Sequence, residues 1–153
     1  METLTTALLL RRNEETWRLS VDNPFLEALK GGHVPPVNIE RFVRQCLHFA
    51  DAILVANALV LAKAPVEARS CLLDLLTETH EVGEWLRRLV SGTSADRHPV
   101  HPVSRAYGDF LARQAMEGYI TGAAALWALY RAIVDDWGAA SVGADAALRE
   151  FTD

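Results

Sequence analysis

The sequence has no basic cluster. Fifteen Lys and Arg stand against 20 Asp and Glu, a net charge of −5. A partner made of phosphates needs a positive stripe, so this balance argues against nucleic acid and against an anionic membrane surface. No apolar run approaches the ~20 residues that a membrane-spanning helix requires. The leucines within Met1 to Leu10 have no basic residues ahead of them, so no secretory leader is expected. Internal repeats and low-complexity tracts are missing as well. There are two cysteines, Cys46 and Cys71. Both are read as free thiols on apolar helix faces of a cytoplasmic protein.

What the chain does have is apolar material: half of its 153 residues are hydrophobic. That is enough for one sizeable core, and a single domain over residues 1–153 is expected. The organising stretch runs from Pro36 to Ala64. Pro36 suits the first turn of a helix, and no Pro or Gly interrupts the run before Pro65. Arg41, Arg44, His48 and Asp51 form a polar stripe on its first half. Ile39, Phe42, Val43, Cys46, Phe49, Ala50 and Ile53 cover the other side. From Ala52 onward only Asn57 and Lys63 are polar. A helix apolar all round is buried all round, so this one is expected at the centre of an all-α domain. Val55, Ala58 and Ala62 continue the polar stripe without charge, which suggests a second chain or another helix over that end.

Around this helix the punctuation is clear. Thr3 to Leu19 reads as a first helix. Asn23 caps a short helix from Pro24 to Lys30, and Gly31-Gly32 ends it. His33 falls in the turn that follows. A long helix from Pro65 to Val90 has Leu72, Leu75, Leu76, Val82, Leu86 and Leu89 on its apolar face, and Glu84 and Arg88 are spaced to pair. Its His80-Glu81-x-x-Glu84 segment ends in Glu where a zinc-protease helix needs His. No Glu lies three residues before a His, as a di-iron bundle requires. No metal site is assigned, and the histidines of the polar stretch Ser91 to His101 are read as solvated. Pro102 opens a helix to Met116, with Tyr107, Phe110 and Leu111 inward. After Glu117-Gly118, a stripe of Ile120, Ala123, Trp127, Tyr130, Val134 and Trp137 marks another helix. Beyond Gly138, a last short helix is expected from Ala144 to Phe151.

Several of these pieces, in this order, resemble the TenA (thiaminase II) family. The N-terminal ones are Asn23-Pro24-Phe25, the turn at Gly31-Gly32, and a long helix opening Ile39-x-x-Phe42-Val43-x-Gln45. The C-terminal ones are Pro102-x-x-x-x-Tyr107, Gly118 eleven residues on, and an alanine-rich helix. The resemblance covers the chain to about Trp137. It implies an all-α, haem-oxygenase-like helical bundle, shared with PqqC-type enzymes, with a small-molecule pocket between helices and usually a dimeric or tetrameric assembly. No cofactor is implied.

The same resemblance shows where this chain departs. The family orients an aminopyrimidine with an Asp on the central helix, attacks with a Cys that follows a Pro, and uses a Glu from a later helix. Here Cys46 stands at the Asp position and Leu129-Tyr130 at the Pro-Cys position. No counterpart of the Glu is found. Tyr107 matches a pocket tyrosine of the family, and Phe49 an aromatic position. The candidate ligand-binding residues are therefore Tyr107, Cys46, Phe49, Asn57 and Tyr130, with no catalytic residue assigned.

From the residues alone, Cys46 has no base aligned with it on its own helix, whereas a nucleophilic thiol needs one. Asn57 is the only amide in an apolar half-helix and must have partners. A ligand, Tyr107 and Tyr130 are the options. The bundle is expected to be truncated at its C-terminus, which leaves an apolar face to be covered by self-association as a homodimer or higher. Three readings stand open. One is a binder of a small heterocycle without hydrolytic groups. Another is an enzyme of other chemistry, either a Cys46-based hydrolase or a metal-dependent oxidase. The third is a ligand-free helical assembly protein.

Overall fold

The computed structural model describes residues 5–91 and 99–152, with the backbone alone at 20, 21, 30 and 136–152. Every regular element among them is a helix. In order these are α1 (Thr6–Arg12), α2 (Glu14–Val21), α3 (Pro24–Lys30), α4 (Pro36–Lys63), α5 (Val66–Val90), α6 (Pro102–Glu117) and α7 (Tyr119–Thr152). They gather into two compact units. One holds Met1–Val34 with Tyr130–Glu150, the other Pro35–Leu129 with Phe151–Asp153. Gly92, Asp96 and His98 of the polar stretch lie outside the described residues, as do the side chains of Trp137, Leu148 and Phe151.

The first unit is built by local capping. Thr5 Oγ1 accepts from Leu8 N to open α1. The single helix expected over Thr3 to Leu19 is in fact two. Asn13 divides them, because its side-chain Nδ2 donates to Leu9 O at 2.8 Å. An Asn that bonds the backbone this way competes with the helical ladder. Asn23 caps α3 as expected, its Oδ1 accepting from Phe25 N. At the far end of α3, Gly32 adopts a φ of 66°. Its N–H donates to Leu29 O, and His33 N–H to Ala28 O, the paired closure that a glycine in this left-handed region allows. Trp17 Nε1 donates to Asp135 Oδ2 and so ties α2 to α7. Arg131 holds the same carboxylate one turn earlier.

The second unit is centred on α4, which packs against both α5 and α6. Ile39, Val43, Ala50, Ile53, Asn57, Val60 and Ala64 are buried along one line, spaced at fours, threes and sevens. The polar stripe is less solvated than its charges imply. Arg44 is buried and pairs with Glu40 at 3.2 Å. Asp51 reaches across to Arg87 of α5, and Arg87 also takes Glu84, so Glu84 pairs three residues on and not with Arg88. At the end of α4, Lys63 Nζ donates to the carbonyls of Ala115 and Met116. It supplies the cation that the C-terminus of α6 lacks in its own last turn.

Two apolar faces are left open within this chain. The uncharged end of α4 is not buried all round: Val55 is 54% exposed, and Ala58 and Ala62 are exposed too. On α7 the buried line is Gly122, Leu126 and Leu129, while Ile120 and Val134 lie open. That helix is apolar on most sides, so hydrophobicity alone does not choose its inner face. Space does: a Cβ on Gly122 would stand 2.5 Å from Val60 Cγ2 and 2.8 Å from Ala115 Cα. Helix α7 also runs unbroken through Gly138 to Thr152, where a turn and a separate short helix were expected. A mid-helix Gly costs only about 1 kcal/mol relative to Ala, and two alanines, Ala139 and Ala140, follow it. Cys71, expected on an apolar face, is exposed.

By length and composition alone, α4 could also cross a membrane, with a mean hydropathy of 1.6 over 18 residues. A mostly buried core helix passes the same test; α4 packs on two neighbours, with 28% of that window buried.

The contacts at Gly122 give a direct check. Gly122→Ala should destabilise the fold by about 1–3 kcal/mol through overpacking. Gly118→Ala, with extended backbone and nothing within 4 Å of the new Cβ, should stay within about 0.5 kcal/mol. Urea denaturation of both variants measures the difference.

Candidate functional site

Helices α4 and α6 bring aromatic rings together. Phe49 of α4 stands with its ring centroid 5.2 Å from that of Tyr107 of α6, tilted by 47°. Tyr107 in turn lies 5.9 Å from Phe110. Both separations fall in the range where aromatic pairs attract. The close approach of the two backbones has a local cause: Gly108 follows Tyr107, and a Cβ there would meet Ala52 Cβ at 2.9 Å. The inward line of α6 is Gly108, Leu111 and Ala115. Tyr107 and Phe110, expected inward with Leu111, are instead 39% and 41% exposed. They form a half-open aromatic surface beside the core. Burial of its inner part raises the Tyr107 hydroxyl above the ordinary tyrosine range.

Cys46 precedes Phe49 by three residues and shares its side of α4. It is half-buried. Desolvation pushes its thiol up to about 12, the opposite of the depression a nucleophile needs. Asn57 lies three turns beyond Cys46 and is fully buried. Its Nδ2 donates to Thr79 Oγ1 at 3.0 Å, and Thr79 Oγ1 donates to Leu75 O at 2.6 Å. A protein partner of this amide is thus a threonine of α5. Tyr130 belongs to the other compact unit.

Of the five candidate residues, then, Phe49 and Tyr107 meet, Cys46 lies on the same helix face, and Asn57 is tied into the α4–α5 packing. Phe110 joins the cluster without having been assigned to it. Its spacing three residues after Tyr107 was the available signal. Thr79 was hidden because nothing local marks a threonine as the partner of an amide 22 residues away. Among the described residues, no three His, Cys, Asp or Glu side chains gather as metal ligands would.

Cys46 and Cys71 make the thiol chemistry testable. With its thiol near 12, Cys46 should stay unlabelled by iodoacetamide at pH 8 until the protein is unfolded, while exposed Cys71 reacts in the native state. Mass spectrometry of the labelled peptides distinguishes them. Native labelling of Cys46 as fast as Cys71 would show an activated thiol.

Comparison with known proteins supports the architecture. The sequence matches no protein-family model and no curated protein. In structure it is similar to the TenA homologue protein from P. horikoshii OT3, with a TM-score of 0.70 at 23% identity. The similarity covers 86% of this chain and 67% of that one. The chain therefore has the all-α, haem-oxygenase-like fold of that TenA homologue.

Proposed function

We propose that this chain is a divergent TenA-type protein that binds a small planar heterocycle, of the aminopyrimidine or thiamin class, on the Phe49–Tyr107–Phe110 surface. The observation that carries the reading is the ring cluster itself. Two aromatic positions that the family resemblance assigns to a ligand pocket meet across α4 and α6, their rings tilted by 47°. A third ring extends them. Tilted, half-open rings offer stacking area to a flat, electron-poor heterocycle. The fold shared with a TenA homologue supports the same reading.

Binding without hydrolysis is the form of the function we favour. The position that carries an Asp in the family is Cys46, whose thiol is held neutral by burial. Leu129-Tyr130 replaces the Pro-Cys pair. The reading places the protein in the cytoplasm and gives it neither nucleic acid nor membrane as partner. It also includes self-association as a homodimer or higher. Val55 on α4 and Ile120 on α7 are large apolar side chains left open, and surfaces of that kind favour burial between copies.

Calorimetric titration with hydroxymethyl-aminopyrimidine and with thiamin tests the binding. Saturable heat is expected for at least one of them, with no thiamin cleavage in a parallel assay. Stacking on an aromatic ring contributes about 1–3 kcal/mol, so Phe49→Ala and Tyr107→Ala should each weaken binding roughly tenfold. Tyr107→Phe, which keeps the ring, should change it little. Absence of heat and of thermal stabilisation with both compounds would contradict the reading. For the assembly, sedimentation at micromolar concentration should give a dimer or larger, and Val55→Glu should shift it toward monomer.

A further inference from the structure

The side chain of Gln45 makes two bonds with the backbone of one short segment. Its Nε2 donates to Pro99 O at 3.0 Å, and its Oε1 accepts from His101 N at 2.8 Å. The two backbone groups sit two residues apart and both belong to the chain that leads into α6. An amide that donates and accepts in this way fixes the position and the direction of the strand it holds, as a neighbouring β-strand would.

Helix α6 begins directly from this fixed point. His101 is its N-cap, and its Nδ1 accepts from Val103 N–H at 3.3 Å. Pro102 occupies the first helical position. The first helical bond runs from Arg105 N to His101 O at 3.0 Å. Where α6 starts, and how it is rotated, therefore follows from where His101 is held. Tyr107 comes six residues after His101 and is carried by that rotation. On α4, Gln45 and Phe49 are four residues apart and share a face. The same stripe of α4 thus bears one ring of the aromatic pair and the amide that anchors the helix of the other.

We propose that Gln45 is a positioning residue for the aromatic site: by clamping Pro99 and His101 it sets where Tyr107 stands against Phe49. The link to a ligand rests on the heterocycle-binding reading above, while the link to α6 does not. The competing account is that Gly108 against Ala52, together with buried Leu111, holds α6 alone. Gln45 would then be a surface side chain of no consequence to Tyr107.

Hydrogen exchange on the full chain decides between them. The variants are Gln45→Ala, Gln45→Glu and, as a control that cuts a different tie of α4, Arg87→Ala. Gln45→Ala should speed exchange over Val103–Phe110 about tenfold, the loss expected from an anchoring hydrogen bond, while amides of α5 stay unchanged. Gln45→Glu keeps the acceptor for His101 N–H but loses the donor to Pro99, so its effect should be intermediate. Arg87→Ala should leave Val103–Phe110 unchanged. In calorimetry with hydroxymethyl-aminopyrimidine, Gln45→Ala should bind about tenfold more weakly than the wild type, although its melting point falls no further than that of Arg87→Ala. Unchanged exchange over Val103–Phe110 in Gln45→Ala overturns the proposal, and so does unchanged affinity in a wild type that binds. If the wild type binds nothing but the exchange effect is present, the heterocycle reading fails and the role of Gln45 in placing Tyr107 stands.

Discussion

Asn57 and Thr79 bond one another at a place sealed from solvent, midway along the contact between α4 and α5. A polar group buried without its partner costs about 1–3 kcal/mol. Sliding α4 by one turn against α5 would separate this pair and incur that cost. Apolar packing alone does not set register so sharply, since one leucine replaces another with small loss. The buried amide therefore fixes how the two longest helices of the second unit meet. The ion pair from Asp51 to Arg87 lies along the same contact, but it is half exposed and adds little.

With α4 and α5 in register, the rest of this unit is placed by contacts that leave no slack. Lys63 takes the last carbonyls of α6. Gly108 and Gly122 bring α6 and α7 to distances at which a methyl group would collide. The aromatic surface is a by-product of this framework. Tyr107 neighbours Gly108, so the close approach needed for packing brings this part of α6 near Phe49, and the proposed clamp of Gln45 on Pro99 and His101 sets how the ring meets it. A site built this way sits on helices and not on loops, and its rings have little freedom to move apart.

Much of the fold was legible in the sequence where the determinants are local. Asn23, Gly31-Gly32, Pro36 and Pro102 act on the residues beside them, and each marks an element boundary in the structure to within a residue. Helix faces were legible only where polarity is one-sided. The stripe chosen on α7 was rotated from the buried one because that helix is apolar on most sides and only the missing side chain of Gly122 decides. Asn13 and Gly138 run against their local signals in opposite senses: periodicity continues through an Asn that breaks the helix, and a Gly that reads as a stop is tolerated within α7. At the site, Phe49 and Tyr107 were legible through the family pattern. Thr79 was not, because its role comes from a residue on another helix. The clamp made by Gln45 was hidden for the same reason.

The central claim is that a planar heterocycle lies against Phe49, Tyr107 and Phe110. Intermolecular NOEs between hydroxymethyl-aminopyrimidine and the protein, assigned with ¹³C-labelled Phe and Tyr, test it most directly. The account predicts contacts from the ligand methyl and ring protons to the rings of Phe49 and Tyr107, with weaker ones to Phe110. Contacts that map to other aromatic residues, or a ligand that shows none with any ring, would contradict it.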